Sequence, residues 1–220
     1  MVGLSEAGVA DAGPFLARLV RLNPGALVRL RHLDPDTLAL WARLPWEVLV
    51  TRRVVGTMQS GGMQSGSVET DRTVAAADLL ARLADPLEAI EGRDAQWRWP
   101  LPPSAGSVVE TVPAEVIRRV GRAAASTVAE VGGSGLAGRP VGQRMVRDAL
   151  LAHVPIVAES GGTRVEVSQR LVQAVLRMGF LGAGDDPVTV RLAEPWIGLA
   201  AGYGSAWQQR GGGLVLRPTR

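Results

Sequence analysis

The stretch "STVAEVGGSGLAG", residues 126–138, admits two readings, and the choice between them decides the fold. Gly133-Ser134-Gly135-Leu136-Ala137-Gly138 spells G-x-G-x-x-G, the dinucleotide fingerprint. In the first reading 126–131 is a buried strand and 139–153 is the helix after the glycines. "VPIVAES" (154–160) is then a second strand, and Glu159 completes a parallel unit around an NAD(P)-type cofactor. In the second reading 126–131 ends a helix, Gly132-Gly133 stop it, and the remainder is a joint.

The flanks favour the second reading. "VPAEVIRRVGRAAASTVAEVGG" (112–133) keeps helical spacing through Val116, Val120, Thr127, Val128 and Val131. Arg118, Arg119 and Arg122 fall elsewhere on that helix, and Pro113 suits its start. Glu130 is out of place in a buried central strand. Arg139-Pro140 follows the last glycine, whereas the motif's helix has to begin within the glycines for its N–H groups to face the pyrophosphate. After Glu159 the chain reads as one helix and an antiparallel hairpin, from which a parallel sheet cannot grow. A cofactor-binding enzyme built on the Gly133–Gly138 loop is therefore the alternative, and a non-catalytic binding or regulatory protein the leading expectation.

With 112–133 helical, the C-terminal half has a simple outline. A second helix covers 139–153, and a third covers "VSQRLVQAVLRMGFL" (167–181) with Ser168 as its N-cap. "VTVRL" (188–192) and "WIGLAAGYGSAWQQR" (196–210) are strands of a hairpin turning near Gly202-Tyr203-Gly204. Three helices and a hairpin loosely outline a winged helix. The hairpin would be the wing, carrying Trp196, Tyr203 and Trp207. On the third helix Arg170, Gln173 and Arg177 fall within about 60° of one another at about 100° per residue. An Arg-Gln-Arg face suits phosphates and base edges, so these three are the candidate nucleic-acid contacts. The analogy is loose because 154–167 separate the last two helices, where a helix-turn-helix uses about 3–4 residues.

The N-terminal half has a different period. "GPFLARLVRLN" (13–23) reads as a helix with Pro14 at its first position. In "ALVRLRHL" (26–33) Val28 and Leu30 alternate with Arg29 and Arg31, the pattern of a half-buried strand. "TLALWARL" (37–44) and "WEVLVTRRVV" (46–55) read as further strands, and "DRTVAAADLLARLAD" (71–85) as a strand passing into a helix. "GTMQSGGMQSGSVETD" (56–71) is a Gly/Ser-rich loop, since it lacks the following helix N-terminus and the lysine of a phosphate loop. "WRWPLPPSAG" (97–106) is held extended by its prolines and marks a boundary near residue 104, with Trp97 and Trp99 docking the linker.

Composition narrows the chemistry. At 46% apolar and 20% charged residues the chain is globular. It lacks a basic, apolar leader and any 18-residue apolar run, so the cytoplasm is the expected location and no membrane is expected. No cysteine is present, which removes disulfides, thiolate nucleophiles and Cys-ligated metals. All 24 cations are arginine. The net charge of +3 is uneven: residues 1–110 carry −2 and residues 111–220 carry +5, making the second half the likelier partner of a polyanion. His32 and His153 lack metal-binding spacing, no serine sits in G-x-S-x-G, and Asp34/Asp36 and Asp185/Asp186 fit turns. The sequence thus nominates no catalytic residue, cofactor or metal.

"GALVRLR", "LPWEVLVTRR", "TVAAADLLARL", "VLRMGFLG" and "EPWIGLAAGYGSAWQQR" resemble a family of uncharacterised actinobacterial proteins, over most of the chain. The resemblance implies a two-part α+β protein, with 56–67 as a loop insertion, and carries no activity. The expectation is an α+β protein. An antiparallel sheet with flanking helices (1–104) precedes a three-helix domain with a β-hairpin (105–220). Its partner is nucleic acid or another protein.

Overall fold

The computed structural model describes residues 2–58, 71–86, 89–104, 106–134 and 143–210. Strand β1 (Val2–Leu4) runs into helix α1 (Glu6–Leu22) through Ser5, whose hydroxyl accepts from the Gly8 N–H at 3.1 Å and caps the helix. The helix starts earlier than residue 13, because the cap lies at Ser5. Pro14 is interior, on the exposed side, where only the Ala10 carbonyl loses its partner.

Strands β2 (Leu27–Asp34), β3 (Thr37–Arg43), β4 (Leu49–Met58) and β5 (Arg72–Ala75) follow, then the short helix α2 (Ala76–Ala81). A single 3-10 turn at Asp94–Gln96 leads into an extended strap, residues 97–104. The second half comprises β6 (Ser107–Pro113), α3 (Ala114–Ser134), α4 (Gln143–Ala152), β7 (Ile156–Ser160), β8 (Thr163–Val167), α5 (Gln169–Arg177), β9 (Pro187–Ala193), β10 (Trp196–Ala201) and β11 (Gly204–Gln209). Residues 126–131 are therefore helical, inside α3, and the strand required by a dinucleotide fold is not formed there. Gly135–Gly138 lie outside the described residues, as do most of the 56–71 loop and the tail after Arg210.

Eight strands form one antiparallel path in the order β5-β2-β3-β4-β11-β10-β9-β6, with β1 paired to the end of β4. The order is a palindrome. The unit β1-α1-β2-β3-β4 is matched in topology by β8-α5-β9-β10-β11, and the two meet where Leu49, Val50 and Thr51 oppose Trp207, Ala206 and Ser205. Even the strand sequences correspond: Val28-Arg29-Leu30 in β2 and Val190-Arg191-Leu192 in β9 both flank an arginine with aliphatics, all buried but the half-buried Leu192.

This topology overturns the winged-helix expectation. The β10–β11 hairpin is no projecting wing. Leu199 and Ala206 are fully buried in the same core as Val28, Leu40 and Val50 of the first unit, because alternation places them on the same face of one continuous sheet. Nor do α3, α4 and α5 form a three-helix domain, since the hairpin β7–β8 separates α4 from α5. Phe15, Leu16 and Leu19 of α1, Leu79 of α2, Ile117 of α3 and Leu171, Val172 and Val175 of α5 all enter that one core.

The opposite face carries a smaller core of Leu49, Ala193, Trp196 and Trp207, closed by Trp41, Trp97 and Leu101. The strap lies across both units here, docking through its tryptophans. Arg29 stands 5.9 Å over the Trp97 ring, Arg43 stands 5.0 Å over Trp99, and Arg191 Nη2 donates to the Gly106 carbonyl at 2.8 Å. The matched arginines of the two V-R-L strands thus hold opposite ends of the linker.

Candidate binding surfaces

Two surfaces have the chemistry to bind a partner. The first is the helix layer. Arg170, Gln173 and Arg177 do lie along one stripe of α5, but their surroundings differ. Arg170 Nη1 donates to the Trp46 carbonyl at 3.1 Å and lies 3.5 Å from Glu47, while Trp46 Nε1 donates back to the Arg170 carbonyl at 3.2 Å. That residue fastens α5 to the β3–β4 turn. Gln173 is half-buried, and Arg177 is exposed in the last turn.

Sequence reasoning missed the cations that pack against the turn after α5. Gly179, just beyond α5, has φ +66°, and the Arg18 guanidinium of α1 lies against it: a methyl on Gly179 would come within 2.7 Å of Arg18 Cζ. On the other side Arg118 of α3 donates to the Gly182 carbonyl. The turn after α5 is therefore bracketed by arginines from two other helices. Arg118 lies 3.9 Å from Glu115, and Arg122 donates to the same carboxylate. The hydrogen bond from Arg122 and the nearby guanidinium charges hold the Glu115 carboxyl below its ordinary range, so it stays ionised and neutralises part of this cluster.

Among the described residues, Arg18 and Arg21 of α1, Arg119 of α3 and Arg177 of α5 have no hydrogen-bond or ion-pair partner; Arg53 and Arg98, off the helices, share that state. The sheet arginines are mostly engaged: Arg29 with Asp71, Arg43 with Glu47, and Arg52 with Asp11. The spacing of Arg18 and Arg21 on α1 was legible in the sequence, but no local signal showed that Arg18 packs against the turn after α5.

The second surface is a cleft of about 440 Å³ where β8 and the start of α5 approach the end of β11. It is lined by the apolar Val154 and Ile197 and by the polar Arg164, Glu166, Ser168, Gln208, Gln209 and Arg210. Ser168 precedes α5 as expected but does not cap it. Its hydroxyl is hydrogen-bonded to the Gln208 side chain. In the first unit the matching serine, Ser5, bonds the Val55 carbonyl of β4, and β1 then pairs directly with β4. Among the described residues of the second unit β8 pairs only with β7, and the cleft lies between the leading and the closing strand. The hairpin strand β8 was not foreseen, because "TRVEV" is short and sits in a stretch read as a connection. Among the described residues no group of three or more His, Asp or Glu side chains is placed to hold a metal ion, and no helix is long and apolar enough to cross a membrane.

The fold has solved counterparts. The chain is similar to a DNA polymerase sliding clamp from Pseudomonas aeruginosa, with 13% identity and a TM-score of 0.52, covering 91% of this chain and 62% of that one. It is similar to the DNA polymerase III beta subunit from Thermotoga maritima, with 11% identity and a TM-score of 0.51, covering 94% and 63%. The H. pylori beta clamp in complex with 5-chloroisatin gives 10% identity and a TM-score of 0.53, covering 95% and 63%. The chain thus has a sliding-clamp-like fold and spans less than two thirds of the length of these proteins. No curated protein matches it in sequence. Residues 4–99 match a domain of unknown function, DUF8010. Residues 101–213, just over half of the chain, match the domain of unknown function DUF8185, and the protein belongs to that family.

Proposed function

We propose that this protein is a non-catalytic binding protein whose helix layer takes the phosphate backbone of duplex DNA. The observation that carries this reading is the set of unpartnered arginines contributed by three helices, Arg18 and Arg21, Arg119, and Arg177. The similarity to DNA polymerase sliding clamps supports it at the level of fold. An exposed guanidinium without an internal carboxylate can neutralise a phosphate without first breaking an ion pair. The cations come from helices packed on a sheet rather than from one helix projecting into a groove, so the contacts fall on the backbone and are independent of base sequence. Arg177 and Gln173 belong to this surface, and Arg170 keeps α5 in place beneath it.

The test is binding of a fluorescent random-sequence duplex across a salt series from about 50 to 200 mM. The logarithm of the affinity is expected to fall linearly with the logarithm of salt. Combining Arg21→Ala, Arg119→Ala and Arg177→Ala should lower that slope by about three, at close to one per phosphate contact. No binding at low salt, or a slope unchanged in the triple variant, overturns the reading.

A second reading, favoured by the cleft, is that the same molecule also docks a protein partner. A cavity lined by two apolar side chains and several hydrogen-bonding ones, beside two strands, suits an extended polypeptide segment.

A further inference from the structure

We infer that Tyr203, at the tip of the β10–β11 hairpin, is a further DNA contact whose hydroxyl donates a hydrogen bond to a backbone phosphate. This deepens the reading of the helix layer as a DNA surface and rests on it. The hairpin itself stays within the sheet, and only its tip meets the helix layer, at the turn after α5. The Tyr203 N–H donates to the Phe180 carbonyl at 3.0 Å. The residue before Phe180 is Gly179, against which the Arg18 guanidinium lies. Tyr203 and the unpaired Arg18 thus flank the same two residues.

Arg52 holds the tyrosine from another side. Its Nη1 donates to the Tyr203 carbonyl at 3.2 Å, and its Cζ stands 5.7 Å over the Tyr203 ring. Arg52 is in turn ion-paired with Asp11 of α1. Asp11 and Arg18 are separated by about two turns, which puts them on one stripe of that helix. The ring is therefore anchored beside the stripe that carries Arg18, and Arg52 neutralises the one acid there.

The backbone of the tip is fixed as well. A methyl on Gly204 would come within 2.6 Å of the Phe180 ring, whereas Gly202 borders open space. Even so, Tyr203 is 53% exposed, and among the described residues its hydroxyl has no hydrogen-bond partner. A side chain already held at its backbone and ring loses little further entropy when it binds. Tyrosine hydroxyls donate to phosphate oxygens as arginines do, but a neutral donor releases no counterion.

The fluorescent random-sequence duplex and its salt series test this on the full chain. Tyr203→Phe keeps the ring over Arg52 and removes only the hydroxyl. Its affinity is expected to fall by about tenfold at every salt concentration, with the salt slope and the urea midpoint unchanged. Tyr203→Lys puts a cation at the same point and should steepen the slope by about one. A Tyr203→Phe chain that binds as tightly as the unsubstituted one, or a Tyr203→Lys chain with an unchanged slope, overturns this inference and leaves the arginine surface standing. An unsubstituted chain that binds no duplex at low salt overturns both.

Discussion

The two β-α-β-β-β units of this protein share a topology and differ in how they close. In the first, β1 pairs with the end of β4 through Val2–Met58, Gly3–Thr57 and Leu4–Gly56. In the second, β8 turns to β7 and leaves a cleft beside β11. A sequence difference lies three residues beyond each serine. Gly8 lets the Val55 carbonyl approach α1 so closely that any β-carbon there would collide with it. The matching position in α5 is Leu171, a large side chain buried in the core. The glycine lets the closing strand lie directly under the helix in the first unit, and no glycine stands at the matching position of the second. The same architecture therefore has a paired edge in one unit and an open cleft in the other.

This comparison can be broken or sharpened by substitution. The largest effect is expected where the units lean on each other. Phe180 is fully buried and its ring centroid lies 6.3 Å from that of Phe15. Phe180→Ala should cost about 3–5 kcal/mol in urea unfolding, because it opens a cavity between α1 and the turn after α5. If the two units instead melted separately with little change in either, they would not share a core.

A smaller effect isolates the glycine. Gly8→Leu copies the second unit into the first and should cost about 1–3 kcal/mol by overpacking. Hydrogen exchange at Gly3 and Ser5 should accelerate in that variant while exchange in β3 stays slow. Retained protection of β1 would show that Gly8 does not control closure.

The smallest effects come from the serines. Ser5→Ala removes a side-chain cap and should cost about 1 kcal/mol. Ser168→Ala removes no cap and should change stability by less than about 0.5 kcal/mol, its effect falling instead on peptide affinity at the cleft. Equal losses in thermal unfolding of the two variants would mean that Ser168 caps α5 after all.

Much of this was legible along the chain. Val28 and Leu30 against Arg29 and Arg31 announce a strand with one buried face, and β2 follows that pattern. The helical spacing through Val120 and Thr127 outweighs the glycine fingerprint, and α3 indeed runs through Ser134. Trp97 and Trp99 read as linker anchors, and Trp97 packs with Leu49, Trp196 and Trp207. The hairpin at Gly202-Tyr203-Gly204 was placed correctly, yet its role was not. A hairpin's own sequence says that two strands pair; it says nothing of the third strand beside them. Strand β6 was absorbed into the linker and the start of α3, because "SVVETVP" is an edge strand whose side chains are mostly exposed.

The sequence alone determined most local elements: the periods, the presence of the main helices, the extended strap, and a surplus of arginine in the second half. Those properties depend on neighbours a few residues away and on sterics that every chain shares. Tertiary structure decided that Leu49 opposes Trp207, that Arg170 is held by Trp46 across 124 positions, and that Arg18, Arg21, Arg119 and Arg177 are left without partners. Whether an arginine fastens the fold or remains available to a ligand depends on which carboxylates and carbonyls folding brings beside it, and no short window of sequence contains those groups.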